Sequence, residues 1–113
     1  MTFEELVIQL KKLPLEELRK EYDGYFEFVV SGEHIQKLYP VLEKYFGVPF
    51  KPPGIEPDLK VENVAKDFGG VRKQQTLYHV QTNGLSHCAM IWPWNDGSRV
   101  TVKLARGAVQ IHP

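Results

Sequence analysis

The sequence predicts an α+β fold in which three helices pack on a mainly antiparallel sheet, made of a C-terminal β-meander plus one N-terminal strand. Three observations predict this class: helical apolar stripes before residue 47, a run of prolines after it, and two turn signals between apolar strands near the C-terminus. We expect one domain over 1–113, with a helical half over 1–47, a Pro-rich connector over 48–60 and a β-meander half over 61–113.

Two helices are predicted before residue 25. Residues 2–5 form a capping box before apolar residues at helical spacing, so the first helix extends to about Lys12. Pro14 suits the first turn of a second helix, which Asp23-Gly24 ends and whose apolar side carries Leu15, Leu18 and Tyr22. We expect the two helices to form a hairpin packed on another element, because such narrow apolar stripes cannot form a core alone.

One strand and a third helix follow. Residues 25–30 are β-formers interrupted only by Glu27, which indicates a strand. Ser31 is a candidate cap for a helix with apolar positions over residues 35–46. Pro40 lies within this pattern and is expected to kink or divide the helix.

The connector over 48–60 contains four of the eight prolines and is expected to lie against the surface. Residues 60–67 suit either a short helix or a strand.

Two turns determine the register of the C-terminal strands. Asn83-Gly84 is a strong signal for a two-residue hairpin loop, and residues 95–98 form the second turn. The predicted partners are Val80 with His87, His79 with Cys88, Trp94 with Arg99, Ile91 with Val102, and Ala89 with Leu104. This register places the aliphatic side chains on one face, as a buried face requires. A fourth short strand over 108–111 would continue the meander.

The other face of the meander, which we call the outer face, combines tryptophans, a thiol and cations. Its members are Leu77, His79, Gln81, Ser86, Cys88, Met90, Trp92, Trp94, Arg99, Thr101 and Lys103. Such a mixture resembles the lining of a ligand groove. In the structural alternative, the N-terminal helical hairpin covers this face and buries Met90 and Trp92. The sequence does not decide which face those helices cover.

His79 opposite Cys88 is the sharpest chemical pattern, because a neighbouring imidazole can stabilise a thiolate nucleophile. No third residue that would orient His79 and no oxyanion donor can be placed. A small buried cysteine beside a hydrogen-bonded histidine is the structural alternative. No metal site is predicted, because His79 and Cys88 lack further ligands.

Arg72 follows the glycine pair Gly69-Gly70. Backbone N–H groups at such a bend can form an anion-binding nest, to which Arg72 would add a guanidinium. A plain turn before a strand is the alternative.

The formal net charge of zero conceals two oppositely charged halves. Residues 1–58 contain 7 basic and 11 acidic residues, whereas residues 59–113 contain 7 and 3. The basic half coincides with the meander, which favours an anionic ligand or an acidic protein surface there. Alternatively, the two halves attract each other within the molecule.

Composition excludes several classes of protein. A single cysteine excludes an intramolecular disulfide and multi-cysteine metal sites. No apolar run approaches the length that spans a bilayer, and residues 1–13 are too charged for a signal peptide, so we expect a cytoplasmic protein without a membrane partner. Nucleic acid is not expected as a partner, because few cations are available to neutralise phosphates.

The sequence thus favours a small, non-catalytic binding module without a cofactor, which holds an anionic small ligand or a protein partner on the outer face. The predicted binding residues are His79, Cys88, Met90, Trp92, Trp94, Arg99, Lys103 and Arg72. One alternative is a thiol-dependent enzyme with Cys88 as nucleophile and His79 as base. Another is a homodimer without a ligand site, formed through the sheet faces or the edge of the last strand.

Overall fold

The structure, a computed structural model, describes residues 1–108. The helices are α1 (Phe3–Lys11), α2 (Ile35–Phe46) and α3 (Leu59–Ala65). The strands are β1 (Glu17–Tyr22), β2 (Tyr25–Ser31), β3 (Thr76–Thr82), β4 (Leu85–Pro93) and β5 (Arg99–Ala108). Short 3₁₀ turns precede α2 and follow α3. The α+β class and the antiparallel sheet are confirmed.

The five strands form one antiparallel sheet in the order β1-β2-β5-β4-β3. The predicted partners across β3, β4 and β5 are confirmed, from His79 with Cys88 to Ile91 with Val102. Asn83 has φ 51° and Gly84 has φ 75°. A two-residue hairpin loop of this type requires positive φ at both central residues, which explains why Asn-Gly identified the register.

The predicted second helix is wrong, because Glu17–Tyr22 is a strand that pairs with β2. All six residues of β1 are exposed, so the segment lacks the alternation of buried and exposed side chains that would identify it as a strand. Asp23-Gly24 is the two-residue loop of the β1–β2 hairpin rather than a helix end, since Tyr22 pairs with Tyr25 across it. Pairing with β2 therefore outweighs the helical propensity of the segment.

Helices α1 and α2 pack on the inner face of the sheet, where the largest core cluster lies. Thr2 Oγ1 accepts the backbone N–H of Glu5 at 3.1 Å, which confirms the predicted cap of α1. Ser31 precedes α2 without a side-chain capping bond, and the helix continues through Pro40 rather than dividing there. The buried members of the cluster are Phe3, Leu6, Leu10, Phe26, Phe28, Val30, Leu38, Leu42, Phe46, Tyr78, Ala89, Ile91, Val100, Val102 and Leu104.

Residues 60–67, for which the sequence allowed a helix or a strand, are mainly helical and belong largely to α3. This helix lies on the opposite face of the sheet from α1 and α2. The helices therefore cover both faces of the sheet. The connector before α3 lies against β3, since Lys51 forms a backbone bridge with Leu77. The Lys51 side chain is buried, and its ammonium group donates to the carbonyl oxygens of Lys73 and Gln75 at 2.5 and 2.6 Å.

Strand β5 lies in the middle of the sheet, between β2 and β4. Within residues 1–108 the last strand therefore has no free edge for a homodimer, and the sheet edges belong to β1 and β3. β5 continues through Gly107 to Ala108. The remainder of the strand expected over 108–111 lies outside the described residues. None of the helices in this part of the chain is long and apolar enough to cross a membrane.

Candidate functional site

The outer face is divided into a covered half and an open half. The covered half consists of β3 and β4, where Val61 and Ala65 of α3 pack on Leu77, Cys88 and Met90. The open half consists of the outward side chains of β1, β2 and β5, bordered by Trp92 and Trp94. The N-terminal helix does not cover this face, and the half-covering by α3 is a third arrangement that the sequence analysis did not consider.

Cys88 and Met90 belong to the core under α3. Both side chains are almost completely buried, and burial raises the pKa of the Cys88 thiol to about 12. A thiol in such surroundings remains protonated at neutral pH and is inaccessible to a substrate. These two residues therefore support the packing of α3 rather than binding or nucleophilic chemistry.

His79 lies beside Cys88 as predicted, but its ring contacts Ser86 instead. His79 Nε2 is 2.6 Å from Ser86 Oγ, and Ser86 Oγ is 3.9 Å from Cys88 Sγ. Burial lowers the pKa of His79, so the neutral imidazole is favoured. Phe50 packs against the His79 ring, with 5.6 Å between ring centroids. Serine thus separates the imidazole from the thiol, and this geometry does not favour the thiol-dependent enzyme.

The open half brings together four of the predicted binding residues. Lys103 Nζ lies 3.5 Å from the ring centroid of Trp92, and the guanidinium of Arg99 lies 5.4 Å from that of Trp94. The Trp94 indole donates to Thr101 Oγ1 at 3.0 Å, which holds this ring on the sheet. Both tryptophans are only partly buried. They form a surface where aromatic rings and cations alternate.

Arg19 also belongs to this surface and was missed by the sequence analysis. Its guanidinium lies 5.8 Å from the Trp94 ring centroid, so Arg19 and Arg99 both approach the same indole ring. Arg19 falls within the segment for which the sequence predicts a second helix, and only the pairing of β1 with β2 brings it here. The Asp23-Gly24 dipeptide, read as a hairpin loop, is the signal that would have found it.

Glu27 is a buried carboxylate in the middle of the open half. Tyr25 donates its hydroxyl to Glu27 Oε1 at 2.5 Å, and Arg19 Nη1 lies 3.8 Å from Oε2. Burial and this hydrogen bond raise the pKa of Tyr25. Lys103 is the cross-strand neighbour of Glu27; burial lowers the pKa of Lys103, and Glu27 opposes this. The carboxylate thus holds the surrounding cations in place and offsets part of their charge.

Arg72 is exposed in the loop that joins α3 to β3. Gly69 and Gly70 have φ 96° and 80°, so the backbone bends sharply at the place where a nest was predicted. However, the Gly70 N–H donates to the Ala65 carbonyl and the Arg72 N–H donates to Gln75 Oε1, each at 2.8 Å. Two amides of the bend are therefore already bonded. The guanidinium of Arg72, rather than a backbone nest, is the available anion-binding group.

Three cavities border the open half. One of about 370 Å³ lies between Trp92 and the loop of Arg72, and one of about 500 Å³ lies between Trp92 and Trp94. The third, of about 620 Å³, lies at the opposite end between Tyr25 and Phe68. These volumes fall within the usual range of small-ligand sites.

Within residues 1–108, no group of three His, Cys, Asp or Glu side chains is arranged to hold a metal ion.

The chain matches no known family model, no curated protein and no solved structure.

Proposed function

We propose that this chain is a binding module without catalysis of its own, and that the open half of the outer face holds an anionic ligand. One observation carries the proposal. Trp92 and Trp94 are partly exposed, each with a cation against its ring, on a part of the sheet that no described helix covers. Tryptophan is buried in most proteins rather than left on an open sheet face, and Trp and Arg are enriched among the residues that dominate binding.

The charges favour an anion. Four cations border the surface, and within the described residues Lys20 and Lys103 have no ion pair, whereas Arg19 and Arg99 pair with glutamates. Exposed ion pairs are weak, with a median of about 0–1 kcal/mol, so a ligand carboxylate can compete with them. We therefore identify the ligand by its chemistry, as a molecule or an acidic protein segment that carries carboxylate groups.

The test uses the intrinsic fluorescence of the two tryptophans, since both border the surface. The wild-type chain is titrated with citrate and with a poly-glutamate peptide at low and high salt. We expect a saturable change with at least one probe, weakened by salt because exposed charges are screened. The probe that binds more tightly tells whether a compact anion or an extended acidic chain fits the surface.

Two double variants give a matched comparison. Arg99→Gln with Lys103→Gln removes two cations from the open half, and Lys12→Gln with Lys44→Gln removes two exposed cations from the helical side. We expect the first to weaken binding about tenfold and the second to change it less than about twofold. Trp94→Ala should also weaken binding while circular dichroism remains unchanged. Equal weakening by both double variants, or no saturable response to either probe, would refute the proposal.

The homodimer is a competing outcome rather than a second proposal. If light scattering shows a dimer that Trp94→Ala dissociates, the open half is an interface between two copies and not a ligand site.

A further inference from the structure

A cavity lies between Trp92 and the loop over residues 69–75, at the border of the open half. Its lining is Gly69, Gly70, Val71, Arg72, Gln75 and Trp92. It contains one cation, one amide, one indole and the backbone of two glycines. This combination offers a flat apolar wall and a charged group in about 370 Å³, which is enough for a small organic molecule.

Two glycines form part of the wall of this cavity. Gly69 and Gly70 both have positive φ, which L side chains rarely adopt, and a Cβ at either position would meet no atom within 4 Å. The backbone therefore approaches the cavity without a side chain in the way. Hydrogen bonds from Gly70 to Ala65 and from Arg72 to Gln75 hold the loop in this shape before any ligand arrives.

Two polar groups at this cavity lack partners in the described part of the chain. The Arg72 guanidinium forms no ion pair there, although a guanidinium can bind a carboxylate through two parallel hydrogen bonds. The Trp92 indole N–H is buried without an acceptor, whereas that of Trp94 donates to Thr101. A buried donor without a partner is rare and calls for a missing acceptor.

We propose that this cavity is a subsite for a planar carboxylate, which Arg72 binds through its guanidinium while Trp92 packs against the planar group. The inference deepens the proposed function and rests on it, because Trp92 borders both the cavity and the open half. It narrows the ligand from any anion to one in which a conjugated or aromatic group carries the carboxylate.

The test is made in a Trp94→Phe background, in which Trp92 is the only tryptophan and its fluorescence reports on this cavity alone. Three probes separate the requirement for a planar group from the requirement for a negative charge. Benzoate is planar and anionic, benzamide is planar and neutral, and cyclohexanecarboxylate is anionic but not planar. We expect saturable binding of benzoate, with each of the other probes binding about tenfold more weakly.

Arg72→Gln and Lys73→Gln provide the matched pair, since both residues are exposed neighbours in one loop and only Arg72 lines the cavity. Arg72→Gln should weaken benzoate binding about tenfold, Arg72→Lys should restore part of it, and Lys73→Gln should change it less than about twofold. Equal effects of Arg72→Gln and Lys73→Gln, or equal affinity for benzoate and cyclohexanecarboxylate, would overturn the subsite, as would the absence of a saturable response.

The same measurements separate this inference from the proposed function. If benzoate binds but neither citrate nor poly-glutamate produces a response, the open half is rejected as an anion-binding surface and the subsite is retained. If citrate or poly-glutamate binds but benzoate does not, the planar-carboxylate subsite is rejected and the open half is retained as the anion-binding surface.

Discussion

At the scale of single residues, burial decides which of the predicted site residues can bind a ligand. Trp92, Trp94, Arg99 and Lys103 are partly exposed around one surface, while Cys88 and Met90 are enclosed under α3. The sequence could place all of them on one face, because the hairpin loops determine the register. It could not show which of them are buried, because their burial depends on α3, a helix that packs on this face from another part of the chain.

Cys88 gives the first prediction. Because burial raises the pKa of its thiol to about 12, iodoacetamide should not alkylate Cys88 in the folded chain at neutral or mildly alkaline pH. The same reagent should modify it fully in denaturant, which mass spectrometry would show. Rapid alkylation of the folded chain, with a pH profile of a lowered thiol pKa, would instead favour the thiol-dependent enzyme.

His87 gives a pH-dependent prediction. Its Nδ1 lies 2.5 Å from the Tyr45 hydroxyl, its Nε2 is buried without a partner, and Phe3 packs edge-on against its ring. Burial lowers the pKa of His87, followed by the positive charge of Arg106, while Glu4 opposes the shift. The unfolded chain therefore takes up a proton at higher pH than the folded chain. The resulting stability is fully present above about pH 6.5 and decreases as the pH falls below that value.

Urea unfolding at several pH values would measure this effect. The free energy of unfolding should fall between about pH 7 and about pH 5, and His87→Phe should reduce that fall. The variant should also lose about 1 kcal/mol at neutral pH, because the Tyr45 hydroxyl loses its partner. Burial also lowers the pKa of His79, so His87→Phe should retain part of the pH dependence of stability. An unchanged slope in His87→Phe would exclude His87 as its source.

Lys51 is a buried cation whose loss should be costly. Its ammonium group connects the connector to the carbonyl oxygens of Lys73 and Gln75. Lys51→Met keeps most of the side-chain volume but removes both bonds, and we expect it to lower the free energy of unfolding by about 1–3 kcal/mol. Lys60→Met, at an exposed position of α3, is the control and should change it by less than about 0.5 kcal/mol. Similar values for the two variants would show that the Lys51 bonds contribute nothing net.

At the scale of elements, the strands with a buried face could be predicted and the strand without one could not. β2 and the meander alternate or concentrate apolar residues, and the structure confirms them. β1 is an exposed edge whose Glu, Arg and Lys residues favour a helix, and only pairing makes it a strand. α3 is short, and the residues that bury its apolar side lie on β3 and β4, beyond the reach of local periodicity.

The exposed edge of β1 leads to a prediction about self-association. The strand carries four charged side chains of both signs, and its register with β2 is shifted between Leu18 and Lys20; both features oppose pairing with a second chain. We expect the wild-type chain to scatter light as a monomer at low and high concentration. Glu17→Val with Lys20→Val should cause concentration-dependent association, whereas Glu33→Val with Lys37→Val, at exposed sites near α2, should not. A wild-type dimer would contradict this view of the edge.

At the scale of the whole molecule, ion pairs connect the two oppositely charged halves of the sequence. Three of the six ion pairs within residues 1–108 connect an acidic residue of the first half to an arginine of the second half. Arg106 forms two of them, with Glu4 of α1 and Asp23 of the β1–β2 loop. The charge separation seen in the sequence is therefore used partly inside the molecule, and only the remaining cations are available to a ligand.

Arg106 is the basis of the last prediction. Its guanidinium also lies 4.8 Å from the Phe3 ring centroid, so one side chain joins α1, the β1–β2 loop and β5. Arg106→Met keeps the apolar stem but removes the charge, and it should lower the thermal unfolding midpoint. Added salt should destabilise the wild-type chain more than this variant, because salt screens the ion pairs. Lys44→Met, an exposed site on α2, should keep the wild-type salt dependence, and equal dependence in all three chains would contradict the role of Arg106.

The central position of β5 has a consequence for how the chain folds during synthesis. β1 with β2 and β3 with β4 can each form a hairpin as they emerge from the ribosome, but no hydrogen bond of the sheet joins one hairpin to the other except through β5. Val100, Val102 and Leu104 of β5 also complete the core under α1 and α2. The edge of β2 that pairs with β5 therefore has no partner strand until the ribosome has translated residue 99 and those beyond it. The two hairpins therefore join into one sheet only after β5 has been made, and until then the open edges of β2 and β4 expose the nascent chain to aggregation.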